Sequence, residues 1–323
     1  MQAVRFAEAG GPEVLSVDDI ERPTPDPGEV LVEIEAASVN PVDAKVRMRR
    51  EPPRPKTTGS DLAGTVTAVG DGVERYTVGD RVFATGLHVA RFDGGSFAEF
   101  AAVPTDLLAP LPDTVSVEEG AAVALVGVTA WRAFVDHAGL TPGSRAFVHG
   151  ANGGVGHVAV GLANAMGADV AGSAQSRYAD PLSELGAEFV VDYTRDDLVD
   201  AVLDGFGTSD AVLDHMPEQY LGTDVDLAAF GGDLVFIAGG KATFPDTSAA
   251  RSKELDLHMM SMSNLATHRE LPGMTGILEH LADLVANDRL EVLIDREYDL
   301  ADAADAHRAV MEESVLGKIL VIP

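Results

Sequence analysis

The run "FVHGANGGVGHVAVGLANAMGADVAGSAQSR", residues 147–177, limits what this chain can fold into more than any other stretch. An apolar strand pattern, "RAFVHG", ends in Ala151-Asn152-Gly153-Gly154-Val155-Gly156, and "HVAVGLANAMG" follows with helical spacing. A second apolar run, "DVAGSA", comes next. Strand, glycine turn, helix and strand in that order form one step of a parallel α/β sheet. Such a turn suits a dinucleotide when one glycine lets the pyrophosphate touch the backbone and another lets helix and strand pack closely. The helix N-terminus is then open to the phosphates. Aligned on Gly153 and Gly156 the pattern is A-x-G-x-x-G, with Ala151 in place of the usual first glycine. The flanking elements meet the context this motif needs. A glycine-rich packing turn without ligand is the other reading of these six residues.

An NAD site carries an acid about 20 residues further on, where the second strand ends, to hold the ribose hydroxyls. That place reads Ser173-Ala174-Gln175-Ser176-Arg177, with no carboxylate, and Asp169 stands at the wrong end of the strand. Ser173 and Ser176 can donate hydrogen bonds to a phosphate. Arg177 can add a charge-assisted contact, on the order of 1.5–3 kcal/mol. NADPH is the expected cofactor; Arg177 as a solvated loop charge is the plain alternative.

Upstream the rhythm differs. "EVLVEIEAASV" alternates apolar and acidic residues at period two, as a half-buried antiparallel strand does. "AGTVTAVG" and "DRVFAT" repeat it, and "RPTPDPG" and "EPPRPK" interrupt it. Residues 1 to about 120 read as an all-β barrel or sandwich-like unit. Then "SVEEGAAVALVGVTAWRAFVDHAGL" opens a helix, with Ser116 as N-cap and Glu118 and Glu119 in its first turn. Strands follow at "RAFVHG", "DVAGSA", "EFVVDY", "SDAVLDHM" and "GDLVFIAG", separated by helical segments. This predicts a doubly wound parallel sheet with helices on both faces. Two amphipathic helices, in "PGMTGILEHLADLVANDRL" and "YDLADAADAHRAVMEES", precede a closing strand, "GKILVIP", which resembles the first unit in character. The expected domains are 1–120, 121–265 and a return to the first domain over 266–323.

Composition sets limits on partners. There are 23 basic and 52 acidic residues, a net charge of −29, and only five lysines. A charge this large opposes a compact state in low salt, and screening relieves it. The acidic surface resembles that of halophile proteins and argues against nucleic acid or an anionic membrane as partner. With no cysteine, disulfides and thiolate metal sites are excluded. No apolar run reaches membrane-span length, and "MQAVRFAEAGGPEVL" lacks the pattern of a secretory signal. A soluble, cytoplasmic protein is expected.

"GGPEVL", "PGEVLVEIEAASVNPVDAKVR", "GSDLAGTVTAVGDGVERYTVGDRV", "GGSFAEF", "VGVTAWRAF", "VHGANGGVG", "LGAEFVVDY" and "GKILVIP" follow one another along almost the whole chain. In this order they resemble the zinc-free quinone oxidoreductase (zeta-crystallin-like) branch of the medium-chain dehydrogenases. The resemblance implies an α/β fold: a GroES-like β domain plus a Rossmann NADP-binding domain. It also implies roles. Asn40 and Asp43 would line the nicotinamide and substrate pocket. Thr129 would lie beside the nicotinamide, and Tyr193 would flank the adenosine 2'-phosphate. Ala238, Gly239 and Gly240 would form the loop at the nicotinamide end, and Lys318 a basic group near the cofactor. Zinc-dependent relatives have a ligand cysteine at the position of Asn40 and a histidine at that of Ser60, so metal-assisted alcohol oxidation is not expected. Many relatives have a tyrosine where Lys45 stands and a serine or alanine at Asn152, and "HMPEQY" replaces the common "SVGG". These departures bear on the substrate.

Plainer readings stand beside these. Asn40-Pro41 could be a simple turn, and Asp43 could cap a helix beginning at Ala44. Thr129 could be an ordinary helix residue, and Tyr193 a strand-end aromatic. Without a metal the acceptor must be easy to reduce, as quinones and α,β-unsaturated carbonyls are. The Asn40 amide, Lys45 or a water could meet the charge that develops on its oxygen. A zinc-free alcohol or aldehyde dehydrogenase-like enzyme is one alternative, and an NADPH-binding protein with a structural or regulatory role is another. A homodimer is expected through the sheet edge beyond "GGDLVFIAGG", where Phe244, Leu255, Leu257, Met259, Met260 and Met262 form an apolar group.

Overall fold

The period-two alternation of Glu29–Ser38 becomes the central strand of the N-terminal part of the fold. The computed structural model describes all of residues 1–323 except 50, 90–93, 245–246, 269–270 and 272. Two units divide the chain. One comprises Met1–Val128, Ser263–Asp288 and Val292–Pro323; the other comprises Thr129–Met262 and Arg289–Glu291.

The first unit begins with β1 (Gln2–Phe6), β2 (Ser16–Asp19), β3 (Glu29–Ser38), helix α1 (Pro41–Arg49), β4 (Lys56–Thr57), β5 (Asp61–Val69), β6 (Arg81–Ala84), β7 (Phe100–Pro104) and β8 (Leu108–Pro110). Helix α2 (Val117–Trp131) carries the chain onward. Ser116 Oγ accepts the Glu119 N–H at 3.1 Å, and the Glu119 carboxylate accepts the Ser116 N–H at 2.9 Å. This reciprocal box fixes the helix start. Glu118 adds its charge to the first turn.

The second unit follows with β9 (Arg145–Val148), α3 (Gly154–Ala165), β10 (Asp169–Ala174), α4 (Ala179–Glu184), β11 (Phe189–Asp192), α5 (Leu198–Gly205), β12 (Ser209–Asp214), α6 (Pro217–Leu227), β13 (Ala228–Phe236), α7 (Thr247–Ser252) and β14 (Asp256–Met259). The chain then returns to the first unit through α8 (Met274–Ala286), β15 (Ile294–Asp299), α9 (Ala303–Glu312) and β16 (Lys318–Ile322). Strand β16 pairs antiparallel with β3, Leu320 opposite Ser38.

The larger sheet of the first unit runs β15-β16-β3-β5-β6-β8, with β7 also on β3, and a smaller one runs β2-β1-β4. The all-β reading of residues 1–120 needs one correction: α1 starts at Pro41, directly after Asn40. Proline's fixed φ and missing N–H suit a first helical position, so the "VNPVDAK" turn leads straight into a helix.

The second unit's sheet runs β11-β10-β9-β12-β13-β14, with every pair parallel. The order reverses direction between β9 and β12, and crevices at the C-terminal ends of such strands are where ligands sit in open α/β sheets. Phe147, Val212, Leu234 and Phe236 are buried in its core. Each such side chain stabilises the fold by about 1.5–3 kcal/mol when fully buried. The edge strand is β14 itself. Of the apolar group expected at an interface, Met260 and Met262 are buried, and Phe244, Leu255 and Leu257 pack on the core. Only Met259 is open to solvent, at 71% exposure. The other five are core because this segment forms the last strand and its flanks. Residues 245–246 of that segment and Pro272 lie outside the described residues. Among the described residues, no helix is long and apolar enough to cross a membrane.

Candidate active site

In the first unit, the end of β3, the start of α1, the start of β5 and the start of β16 converge on a buried polar network. Asn40 follows β3, and its side chain is held from two directions. Lys318 Nζ donates to Asn40 Oδ1 at 2.6 Å and to the Val39 carbonyl at 2.9 Å. Asn40 Nδ2 donates to Asp61 Oδ2 at 2.7 Å and to Ser60 Oγ at 3.2 Å. Asp61 also accepts from Ser38 Oγ at 2.6 Å and Thr85 Oγ1 at 2.5 Å. All of these residues are buried. Burial raises the Asp61 carboxyl, against the opposing pull of Lys318 and its three hydrogen bonds. Burial likewise lowers the Lys318 ammonium, opposed by Asp61 and Asp43.

Lys318, expected as a basic group near the cofactor, is enclosed in this network, its ammonium bonded to Asn40 and to the Val39 carbonyl. Asn40 is likewise committed inward, because Nδ2 already serves Asp61 and Ser60.

Asp43, in the first turn of α1, accepts the Asn40 N–H at 2.9 Å through Oδ2. The helix begins at Pro41, so Asp43 does not cap a helix starting at Ala44; it is the third helical residue and reaches back to Asn40, which leaves its second oxygen over. Asp43 Oδ1 is buried with no partner, in a residue that lines a small cavity with Phe6, Val46, Lys56, Thr57, Thr58, Gly59 and His88. Burial, then the charge of Asp61, pushes the Asp43 carboxyl up to about 7. Lys45 is half-buried on α1. Thr129 is buried in α2, the first residue of the second unit.

In the second unit the glycine turn joins β9 to α3. A Cβ at Gly156 would lie 2.2 Å from the Gly150 carbonyl oxygen and 2.7 Å from Ala151 Cα, so only glycine fits there. Gly153 is the N-cap of α3, and no side chain caps the helix. Its first N–H groups are open to an anion. Ala151 and Asn152 are buried, while Gly153, Gly154 and Val155 are half-buried. These residues fit a dinucleotide.

Three features here depart from expectation. Ser173 is buried beneath the turn, where its Oγ meets the Gly150 N–H and His149 Nδ1, both at 3.3 Å. It supports the turn. Ser176 gives its hydroxyl to Asp192 at 2.6 Å and its N–H to the same oxygen at 3.0 Å. Thus the carboxylate missing from the end of β10 is supplied by the end of β11. Hydrogen bonds from Ser176 and Thr194 hold Asp192 well below the usual carboxylate range. Arg177 is exposed beside this acid, its guanidinium donating to Tyr178 Oη at 2.8 Å. Tyr193 follows Asp192, and its hydroxyl accepts from Gln175 Nε2 at 3.0 Å. Ala238, Gly239 and Gly240 are exposed after β13, with Gly239 at φ +126 and the Gly240 N–H bonded to Glu218.

The quinone oxidoreductase of Rattus norvegicus is 32% identical over 330 residues, spanning 100% of this chain and 98% of that protein. This chain belongs to the quinone oxidoreductase family of the medium-chain dehydrogenases. Family models named alcohol dehydrogenase GroES-like domain and zinc-binding dehydrogenase match residues 26–113 and 185–321. The structure of the Escherichia coli quinone oxidoreductase complexed with NADPH is 28% identical with a TM-score of 0.88, covering 100% of both chains. An NAD-dependent alcohol dehydrogenase structure is 30% identical with a TM-score of 0.90, also over 100% of both chains. As a quinone oxidoreductase family member, the chain is an oxidoreductase with a GroES-like and a Rossmann-type unit.

The superfamily also includes zinc enzymes, and the residues here do not fit that metal. At the two positions where the resemblance to zinc-dependent relatives implies ligands, the chain has an amide and a hydroxyl, Asn40 and Ser60. A lysine ammonium already lies 2.6 Å from the amide oxygen. A zinc ion takes thiolate, imidazole or carboxylate donors; here the carboxylate of Asp61 is engaged by Ser38, Asn40 and Thr85, and the Lys318 ammonium would repel the ion. Among the described residues, no group of three or more His, Cys, Asp or Glu is placed to hold a metal ion.

Proposed function

We propose that this protein is an NADPH-dependent reductase of quinones or α,β-unsaturated carbonyls that works without a metal. The observation that carries the reading is the Lys318–Asn40–Asp61 network, a buried ammonium and amide at a place where the resemblance to zinc-dependent relatives implies a metal ligand. With no Lewis acid to polarise a carbonyl, the acceptor has to be activated by its own conjugation. The dinucleotide, when bound, supplies a hydride from nicotinamide C4.

The chain's own residues supply position and a proton. The glycine turn and the open N-terminus of α3 hold the pyrophosphate. Arg177 and Tyr193 meet the adenosine 2'-phosphate. In the first unit, Asn40, held by Lys318 and Asp61, steadies the start of α1 and with it Asp43; in the second, Thr129 and Ala238–Gly240 serve the nicotinamide end. Asp43 keeps a proton near neutrality and has one free oxygen. It transfers that proton to the acceptor oxygen as hydride reaches carbon, leaving its own carboxylate to be reprotonated from solvent.

A second reading follows from Asp192. A carboxylate beside Ser176 can accept from ribose hydroxyls and disfavour a 2'-phosphate, so this observation favours NADH and an alcohol dehydrogenase-like reaction. Assembly is part of the first reading: the free edge of β14, with exposed Met259, pairs with its two-fold copy to form a dimer.

Turnover of NADPH and of NADH with a quinone, an enone and a simple ketone in molar salt tests the function. Rapid NADPH oxidation by the quinone or enone alone supports it. Preferred turnover of NADH with an alcohol favours the second reading, and binding without turnover defeats both.

A further inference from the structure

A hydrogen-bonded chain runs beneath the glycine turn into the core of the second unit. His149 is the last residue before Gly150, and its ring is fully enclosed. Tyr220 stacks on one face, with centroids 4.3 Å apart, and Phe147 packs edge-on at 5.0 Å. His149 Nδ1 meets Ser173 Oγ at 3.3 Å, and Nε2 meets Asp224 Oδ1 at 2.9 Å. Ser173 Oγ accepts the Gly150 N–H at 3.3 Å, and the Ser173 carbonyl accepts the Ala151 N–H at 2.9 Å. Asp224, on α6, and Asp214, at the end of β12, are near enough for each carboxyl to shift the other. The Oδ2 atoms of both acids are buried and have no hydrogen-bond partner.

Donor and acceptor counting gives this chain a direction. One proton kept by the two neighbouring buried carboxyls leaves a single negative charge on the pair. That charge accepts the Nε2–H of a neutral imidazole, so Nδ1 carries a lone pair. Ser173 must then donate to Nδ1, and its Oγ is free to accept from Gly150. His149, the Ser173 hydroxyl and the Gly150 N–H are all satisfied in this one arrangement. In the reverse direction Ser173 Oγ would receive two donors, and its own proton would need another acceptor in a fully buried place. Burial supports the neutral ring and the shared proton: it lowers His149 to about 4 and raises Asp214 to about 6 and Asp224 to about 8.

We propose that Asp224 is a positioning residue for the dinucleotide site, acting through His149 and Ser173 to fix the Gly150 N–H and hence the shape of the glycine turn. The proposal rests on the reading of that turn as the dinucleotide site. It assigns work to a buried acid on α6 whose hydrogen bond goes to His149 and not to the glycine turn. A geometric strut of this kind lowers the cost of organising the turn when the pyrophosphate binds.

NADPH titration by fluorescence, without substrate and in molar salt, tests the chain on the whole protein. Asp224→Ala and Ser173→Ala should each weaken binding about tenfold. Because both cut one chain, the double variant should be no weaker than the worse single variant. Asp224→Asn should bind like the parent, since its amide can accept from Nε2 and donate to Asp214. If Asp224→Ala does not fold, Asp224→Asn and Ser173→Ala, which barely change volume, carry the test: the first must bind like the parent and the second must not. Additive losses in the double variant, Asp224→Asn as weak as Asp224→Ala, or a single alanine variant that binds like the parent would each overturn the chain. A parent protein that binds no dinucleotide would overturn the site reading beneath it.

Discussion

Lys318 Nζ donates to Asn40 Oδ1 at 2.6 Å, joining residues 278 positions apart. The bond links the closing strand to the turn before α1 and places the only cation of the network against Asp61 and Asp43. Removing one partner of a buried charge pair leaves the other uncompensated, at a cost of about 3–5 kcal/mol. Lys318→Met should therefore lower the melting temperature sharply in molar potassium chloride. A variant that melts with the parent would contradict the role given to this ammonium.

Asp43 couples stability and turnover to pH. Its carboxyl moves from 3.8 to about 7 on folding, mainly through burial. A raised carboxyl contributes stability that is fully present below the unfolded value and is lost as pH rises through the folded one. The parent should thus lose stability between 3.8 and about 7, and Asp43→Asn should lose less over that window. As proton donor, Asp43 also predicts turnover falling above about 7 and a drop of about 10²–10⁴-fold in Asp43→Asn. An unchanged pH profile of kcat in that variant would remove Asp43 from the chemistry.

Cofactor choice turns on two groups at the ends of β10 and β11. Arg177→Glu should weaken NADPH binding by about tenfold or more and spare NADH. Asp192→Asn should shift the preference further toward NADPH, since it removes a negative charge near the phosphate. Fluorescence titration of both cofactors checks each change. Equal affinities of the parent for NADPH and NADH would overturn the choice of cofactor.

A net charge of −29 implies strong dependence on salt. Screening shortens the reach of repulsion to about 3 Å at molar ionic strength. Melting temperature should rise steadily from dilute buffer to molar potassium chloride. A flat profile would show that self-repulsion does not limit this fold.

The β14 edge predicts a dimer that strengthens with salt. Light scattering at micromolar protein in molar salt should give about twice the 33.8 kDa of the chain, and Met259→Glu should return it to the monomer. A monomer mass for the parent under those conditions would defeat the interface.

What could be read in the sequence was local. The glycine turn was legible because strand, turn and helix are adjacent in the chain, and the Gly156 collision confirms why glycine stands there. Ser116 and Glu119 were legible as a helix start for the same reason. What could not be read depends on distant pairing. The Lys318–Asn40 bond needs β16 to return beside β3. Asp192 reaches Ser176 only because β11 lies parallel to β10, with Asp192 opposite Ala174; a search for the acid along β10 alone misses it. His149, Asp214 and Asp224 carry no spacing signal, since three separate elements bring them together.

The central claim is that the reaction proceeds without a metal, with the Lys318 ammonium and the Asn40 amide at the heart of the buried network. Elemental analysis of the active protein, with quinone-dependent NADPH oxidation before and after exhaustive chelation, tests it most directly. The account requires no stoichiometric transition metal and turnover unchanged by the chelator. One equivalent of zinc, with turnover lost on chelation and restored by zinc, would contradict it.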